Sequence, residues 1–310
     1  MNVCKTVVYH YVREIKNSQY KIKGMEVEDF EKQIKLFKKK YVPIGIRDIV
    51  EAINDNKKIS ENSILLTFDD GLKDHFQNVF PLLKENNIEG LFFPSSKPII
   101  EKMVLDVHKI QFILAHIDSV EKIILEIKKH LDYFKNEYEI YSFNEYYRKY
   151  AIKNRFDSKE IMFIKKLLQK GLPRELRSKI VDILFKKFVT NNEEKFSKNL
   201  YLSIDEIRQM KQSGMNFGSH SYSHYWMGTL SEKELNQEFI INEKFEKNIS
   251  GEFLAMCYPY GSYNELVMSK LEQNNFQIGL TTEVGDSVLN NENRFRLKRY
   301  DCNDFPIENI

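Results

Sequence analysis

The stretch SILLTFDDG, residues 63–71, drives an apolar run straight into two adjacent carboxylates, Asp69 and Asp70, with a glycine behind them. A short apolar run that stops at a turn signal reads as a buried strand. Two like charges at its end repel each other, and desolvating either is costly unless a cation or a donor compensates. An Asp-Gly turn would account for one acid. The pair needs a reason from elsewhere in the chain.

Similar apolar runs recur outward from this one: KTVVYHY (5–11), EGLFFPSS (89–96), MNFGSH (215–220), FLAMCYPYG (253–261), FQIGLTT (276–282) and FRLKRY (295–300). Amphipathic helical patterns lie between most of them. Residues 27–40 carry Phe30, Ile34 and Phe37 at helical spacing, and residues 202–214 open on Ser203 and Glu206 as a capping box and stop at Gly214. Seven strand–helix repeats predict an α/β fold, a (β/α)7 barrel, with an open doubly wound sheet as the alternative. From about 97 to 200 the strand signal vanishes and only Lys-rich helical patterns remain. A connection of that length needs structure of its own. The expectation is a single catalytic domain over residues 1–310 with a long helical insertion, read as a lid, an oligomer contact or a solvated decoration.

Composition excludes some classes of function. The chain has 310 residues, 42% of them hydrophobic and 30% charged, with a net charge of only +2. That balance provides no electrostatic case for nucleic acid or an anionic membrane. No window reaches the ~18 consecutive apolar residues of a membrane span. The first residues, MNVCKTVVYHYVREIK, lack the pattern of a secretory signal, and Cys4, Cys257 and Cys302 have no metal-type spacing. The reading is a cytoplasmic protein with reduced thiols.

In a parallel barrel the C-terminal strand ends open onto one face. His10, the Asp69–Asp70 pair, His220 with His224, the CYPYG turn containing Tyr260, and Arg299 all fall at such ends. An HxxxH pair alone is weak, being more often a packed or surface pair than a metal pair. Two His with an Asp from another strand end make a three-ligand site with open positions, of the kind that acidifies water. One aspartate then suffices as ligand and the other can take a proton.

TFDDG, HSYSH and YPYG, in that order, resemble the motifs of the polysaccharide deacetylase family (the NodB homology domain, carbohydrate esterase family 4), over residues 6–96 and 201–300. The resemblance implies a distorted barrel of about seven β/α units. It makes Asp69 the general base, and Asp70, His220 and His224 the ligands of a divalent metal. Zinc is the default from ligand type, with cobalt, nickel or iron(II) compatible. It gives the backbone N–H of Tyr260 a role at the acyl oxygen. Members of the family commonly donate the last proton from a His on a late strand, which this chain lacks. VVYHYV (7–12) is similar instead to the circularly permuted branch that acts on biofilm poly-N-acetylglucosamine, so His10 is the candidate acid. The alternative for His10 is a core histidine bonded to backbone. Where many members carry an Arg holding the catalytic Asp, this chain has Cys257; Arg299 could supply that cation, or could pair with Asp301 or Asp304. Tyr225 and Trp226 could wall a sugar ring or simply pack, and His75, His108, His116 and His130 read as structural or surface residues.

The expected function is removal of an N-acyl group, most simply acetyl, from an amino sugar. A nucleotide-linked or lipid-linked sugar or oligosaccharide in bacterial cell-surface glycan biosynthesis suits a cytoplasmic protein. The alternatives are an O-acyl esterase or N-deformylase acting on a sugar, or a catalytically silent carbohydrate-binding protein. A phosphotransferase using the aspartates would have no use for the His pair.

Overall fold

The computed structural model of the chain describes residues 2–16, 22–154, 157–249 and 251–307. Nine strands occur among them: β1 (Val3–Tyr9), β2 (Val42–Pro43), β3 (Ser63–Asp69), β4 (Gly90–Phe93), β5 (Asn216–Phe217), β6 (Ala255–Cys257), β7 (Ile278–Leu280), β8 (Ser287–Val288) and β9 (Tyr300–Asp301). The main sheet has the order β5-β4-β3-β1-β8, with β2 added to β3 and β9 added to β1. Every pair is parallel except β1 with β8. β6 and β7 form a second parallel pair.

Two one-residue parallel bridges join these sheets: Ser219 to Met256, and Leu280 to Leu297 just ahead of β9. The parallel elements therefore follow one another as β1, β3, β4, β5, β6, β7 and β9. This is the (β/α) arrangement expected from the strand–helix alternation, distorted as the family resemblance implies, with two seams too short to close a continuous barrel. The sequence reading missed β2 and β8, each only two residues long.

β3 is buried along its whole length, as a strand covered on both faces must be. Alternation sorts its side chains. Ile64, Leu66 and Phe68 cluster with Phe30, Ile34 and Phe37 of the helix Val27–Lys40. Leu65 clusters on the other side with Leu91, Phe93, Ala255, Cys257, Ile278 and Leu280. That second cluster is the lining of the strand ring, and Thr67 and Asp69 continue it upward. One step below Asp69, an in-register row of aromatics crosses four strands: Tyr9 stacks on Phe68 at 5.2 Å, Phe68 on Phe92 at 4.7 Å, and Phe92 on Phe217 at 5.4 Å. Such pairs add about 0.5–1.5 kcal/mol each beyond their burial, so the level carrying the acids is firmly set.

The chain divides into two compact units. One holds all the strands. The other, over Met103–Ser197, contains helices and no strand among the described residues. Within it Lys109 is buried and answered by Asp182 at 2.5 Å and Glu193 at 2.8 Å. No helix among the described residues is long and apolar enough to cross a membrane.

Candidate active site

The strand ends bring the predicted polar residues together. Alternation aims Asp69 into the ring, and one more extended residue would send Asp70 out toward the helix layer. Asp70 instead adopts φ 72°, and Gly71 follows at φ 64°, so the chain turns back and both carboxylates are buried at the ring's mouth. A Cβ on Gly71 would lie 2.5 Å from the Cβ of Pro94, so only glycine fits the turn. Ser221, His224 and Tyr260 also have φ near +60°. Left-handed conformations at non-glycine residues cost energy and tend to cluster where function requires them.

Asp70 Oδ1 lies 3.5 Å from His220 Nε2 and 3.3 Å from His224 Nε2. Ligand atoms about 2.0–2.1 Å from a tetrahedral ion stand about 3.3–3.4 Å apart, so the spacing suits a divalent cation of zinc size. His220 Nδ1 donates to the carbonyl of Cys257 at 2.7 Å, which leaves the lone pair on Nε2, facing Asp70. One carboxylate and two imidazoles, all buried, fit a metal by donor chemistry as well as by spacing. The loop that carries the imidazoles is laced by hydroxyls. Ser95 Oγ donates to the His220 carbonyl at 2.8 Å, the His224 N–H donates to Ser221 Oγ at 3.1 Å, and Asn242 donates to Ser219 Oγ at 2.8 Å.

Asp69 has a different environment. Arg299 Nη1 donates to its Oδ1 at 2.9 Å, and both side chains are almost fully buried. The guanidinium is fixed in turn by the Thr281 carbonyl at 2.8 Å and by Thr67 Oγ1 at 3.4 Å. Arg299 thus points at Asp69. Burial pushes the Cys257 thiol up in pKa, so it keeps its proton and donates to Asp69 Oδ2 at 3.3 Å. Burial alone would raise the Asp69 pKa, but the charge and hydrogen bond of Arg299, together with the nearby His220 and His10, outweigh it and hold the carboxyl down to about 2. His10, half exposed, stands at the edge with Nε2 4.0 Å from Asp69 Oδ2.

Tyr260 sits in the tight turn Pro259–Gly261. Its ring stacks on Trp226 at 4.4 Å, with 6° between planes, and meets His224 edge-on at 4.8 Å. Trp226 therefore belongs to a wall beside the His pair. Tyr225 packs instead with the cluster of Met227, Leu235 and Tyr258. The sequence reading did not foresee the Cys257 contact, the Thr67 and Thr281 supports, or the polar groups behind His10 (Arg13, Asp74, His75 and Asn78).

A parallel β/α ring bearing an acid pair and a His pair at its C-terminal edge defines the scaffold. Comparison with known proteins makes the assignment specific: the chain belongs to the polysaccharide deacetylase family, whose sequence profile matches residues 56–130 and 179–279. YxkH of Bacillus subtilis (strain 168), which bears the name polysaccharide deacetylase, is 28% identical over 86 residues; the match covers 27% of this chain and 31% of that protein, so the chain spans about a third of the curated relative's length. Among solved structures, the Streptococcus pyogenes deacetylase PplD superposes with TM-score 0.58 at 14% identity, covering 96% of this chain and 92% of that one. A de-N-acetylase from Aggregatibacter actinomycetemcomitans gives 0.54 at 14% identity, with 96% and 94% covered. IcaB from Ammonifex degensii gives 0.53 at 14%, with 91% and 85% covered. At such identities these likenesses speak for the fold alone.

Proposed function

We propose that the protein is a metal-dependent N-deacetylase of an amino sugar, with a nucleotide-linked or lipid-linked sugar or oligosaccharide of cell-surface glycan assembly as its substrate. The observation that carries this reading is the division of labour at the strand ends: Asp70, His220 and His224 stand at metal-ligand spacing, while Asp69, next in sequence, is held by Arg299 and faces His10.

Asp70, His220 and His224 would hold a divalent cation, which when bound supplies Lewis acidity to the attacking water and the acyl oxygen. Asp69, fixed by Arg299 and Cys257, takes a proton from the water as its oxygen bonds to the acyl carbon. A carboxylate with a pKa near 2 is a weak base in plain water, so it suits a water that has already been made more acidic. The backbone N–H of Tyr260 donates to the acyl oxygen as negative charge develops there. His10 passes its proton to the nitrogen as the C–N bond breaks, because an expelled amide anion would be far too basic. The products are acetate and a free amine. The Trp226–Tyr260 stack offers an apolar face beside the reacting group.

Metal content of the purified protein tests this reading. The expectation is about one divalent ion per chain in the wild type and loss of that ion in His220→Ala. A wild type that retains no stoichiometric divalent metal after loading and desalting overturns it.

A further inference from the structure

The segment that follows the acid pair reaches back to the strand end carrying His10. His75–Val79 is a π-helical turn, a rare geometry that recurs at functional sites. Three side chains, one just before this turn and two within it, point at the stretch just after β1. His75, fully buried and packed on Phe68 and Phe92, donates from Nε2 to the carbonyl of His10 itself at 2.9 Å. Asn78 Nδ2 donates to the Val12 carbonyl at 2.7 Å. Asp74, buried, receives both arms of Arg13 at 2.6 and 2.8 Å, and Arg13 lies over the Tyr11 ring at 4.5 Å. A bidentate Arg–carboxylate pair of this kind fixes direction as well as distance.

Burial of a carboxylate and an imidazole is costly, and a loop needs neither merely to follow a strand. The geometry points to Asp74, His75 and Asn78, acting with Arg13, as positioning residues that set where His10 stands relative to Asp69. One segment, residues 69–78, thus carries the base, a metal ligand and the grip on the proton donor, so acid and base move as one unit. The half-exposed imidazole of His10 is thus carried on a backbone that His75 holds at the carbonyl.

This rests on His10 being the acid, and the test separates the two claims. Protonation of the leaving group matters for an amide and little for an aryl acetate, whose phenolate departs unaided. The ratio of turnover of an N-acetylglucosamine oligomer to that of 4-nitrophenyl acetate is measured for metal-loaded wild type, His10→Ala, Arg13→Met and Asn78→Leu. Expected is a fall in that ratio of about 100-fold for His10→Ala and about tenfold for each of the other two, the scale of a lost or misplaced general acid. Aryl acetate turnover reports on folding in the same samples. If His10→Ala shows the fall while Arg13→Met and Asn78→Leu lower both substrates equally or neither, the positioning role is wrong and the acid stands. An unchanged ratio in His10→Ala removes the acid and the inference with it.

Discussion

Asp69 and Asp70 are neighbours in sequence with opposite environments. Asp70 faces two imidazoles, and Asp69 faces a guanidinium and a thiol. Removing one partner of a buried ion pair leaves an unanswered charge, so Arg299→Met should lower stability by about 3–5 kcal/mol in urea unfolding. The pH dependence has a definite sign. The folded-state pKa of Asp69 is depressed from 3.8 to about 2, so its contribution is complete above about pH 4 and is lost as pH falls toward 2. Its size is on the order of 2 kcal/mol. The stability gap between wild type and Asp69→Asn should therefore narrow between pH 4 and pH 2 in unfolding titrations; a gap independent of pH there would contradict the assignment.

At the scale of the element, β3 does two jobs. Its outward residues anchor the strand through the aromatic row, and its inward ones build the site. Phe68 sits in the middle of that row, so Phe68→Ala should cost about 3–5 kcal/mol and loosen the level at which Asp69 stands. The turn after β3 is equally constrained. Gly71→Ala would force a Cβ to 2.5 Å from the Pro94 Cβ at φ 64°. We expect this variant to lose at least about 1 kcal/mol of stability and to bind metal more weakly, read by competition with a chromogenic chelator, because Asp70 rides on the same turn.

For the whole molecule, a ligand that binds only the folded chain stabilises it by mass action. Divalent metal at about 100 times its dissociation constant should add about 2.7 kcal/mol to unfolding, and His224→Ala should abolish the gain. Much of this architecture was legible in the sequence. Seven apolar runs bounded by turn signals became the seven parallel members of the ring, because strands buried on both faces need continuous apolar runs. β2 and β8 were not legible, because Pro43 interrupts the first and the second lies in a mostly polar stretch, whereas the equally short β5 and β9 sit in longer runs. The convergence of Asp69, Asp70, His220, His224 and His10 followed from their positions at strand ends. The partner of Arg299 did not, because Asp301 and Asp304 lie closer in sequence and only the ring brings Asp69 within reach. Cys257 reads as a missing arginine in sequence; in space its carbonyl sets the tautomer of His220 and its thiol meets Asp69. Asp74 reads as one more surface acid until Arg13 is placed beside it.

The central claim is hydrolysis of a sugar N-acetyl group with Asp69 as base. The direct measurement is release of acetate and of free amine from an N-acetylglucosamine oligomer by metal-loaded protein, for wild type and Asp69→Asn. The wild type should release acetate and amine in equal amounts, and Asp69→Asn should release them at least about 100-fold more slowly. Acetate released with a new hydroxyl in place of the amine, or undiminished turnover in Asp69→Asn, would contradict it.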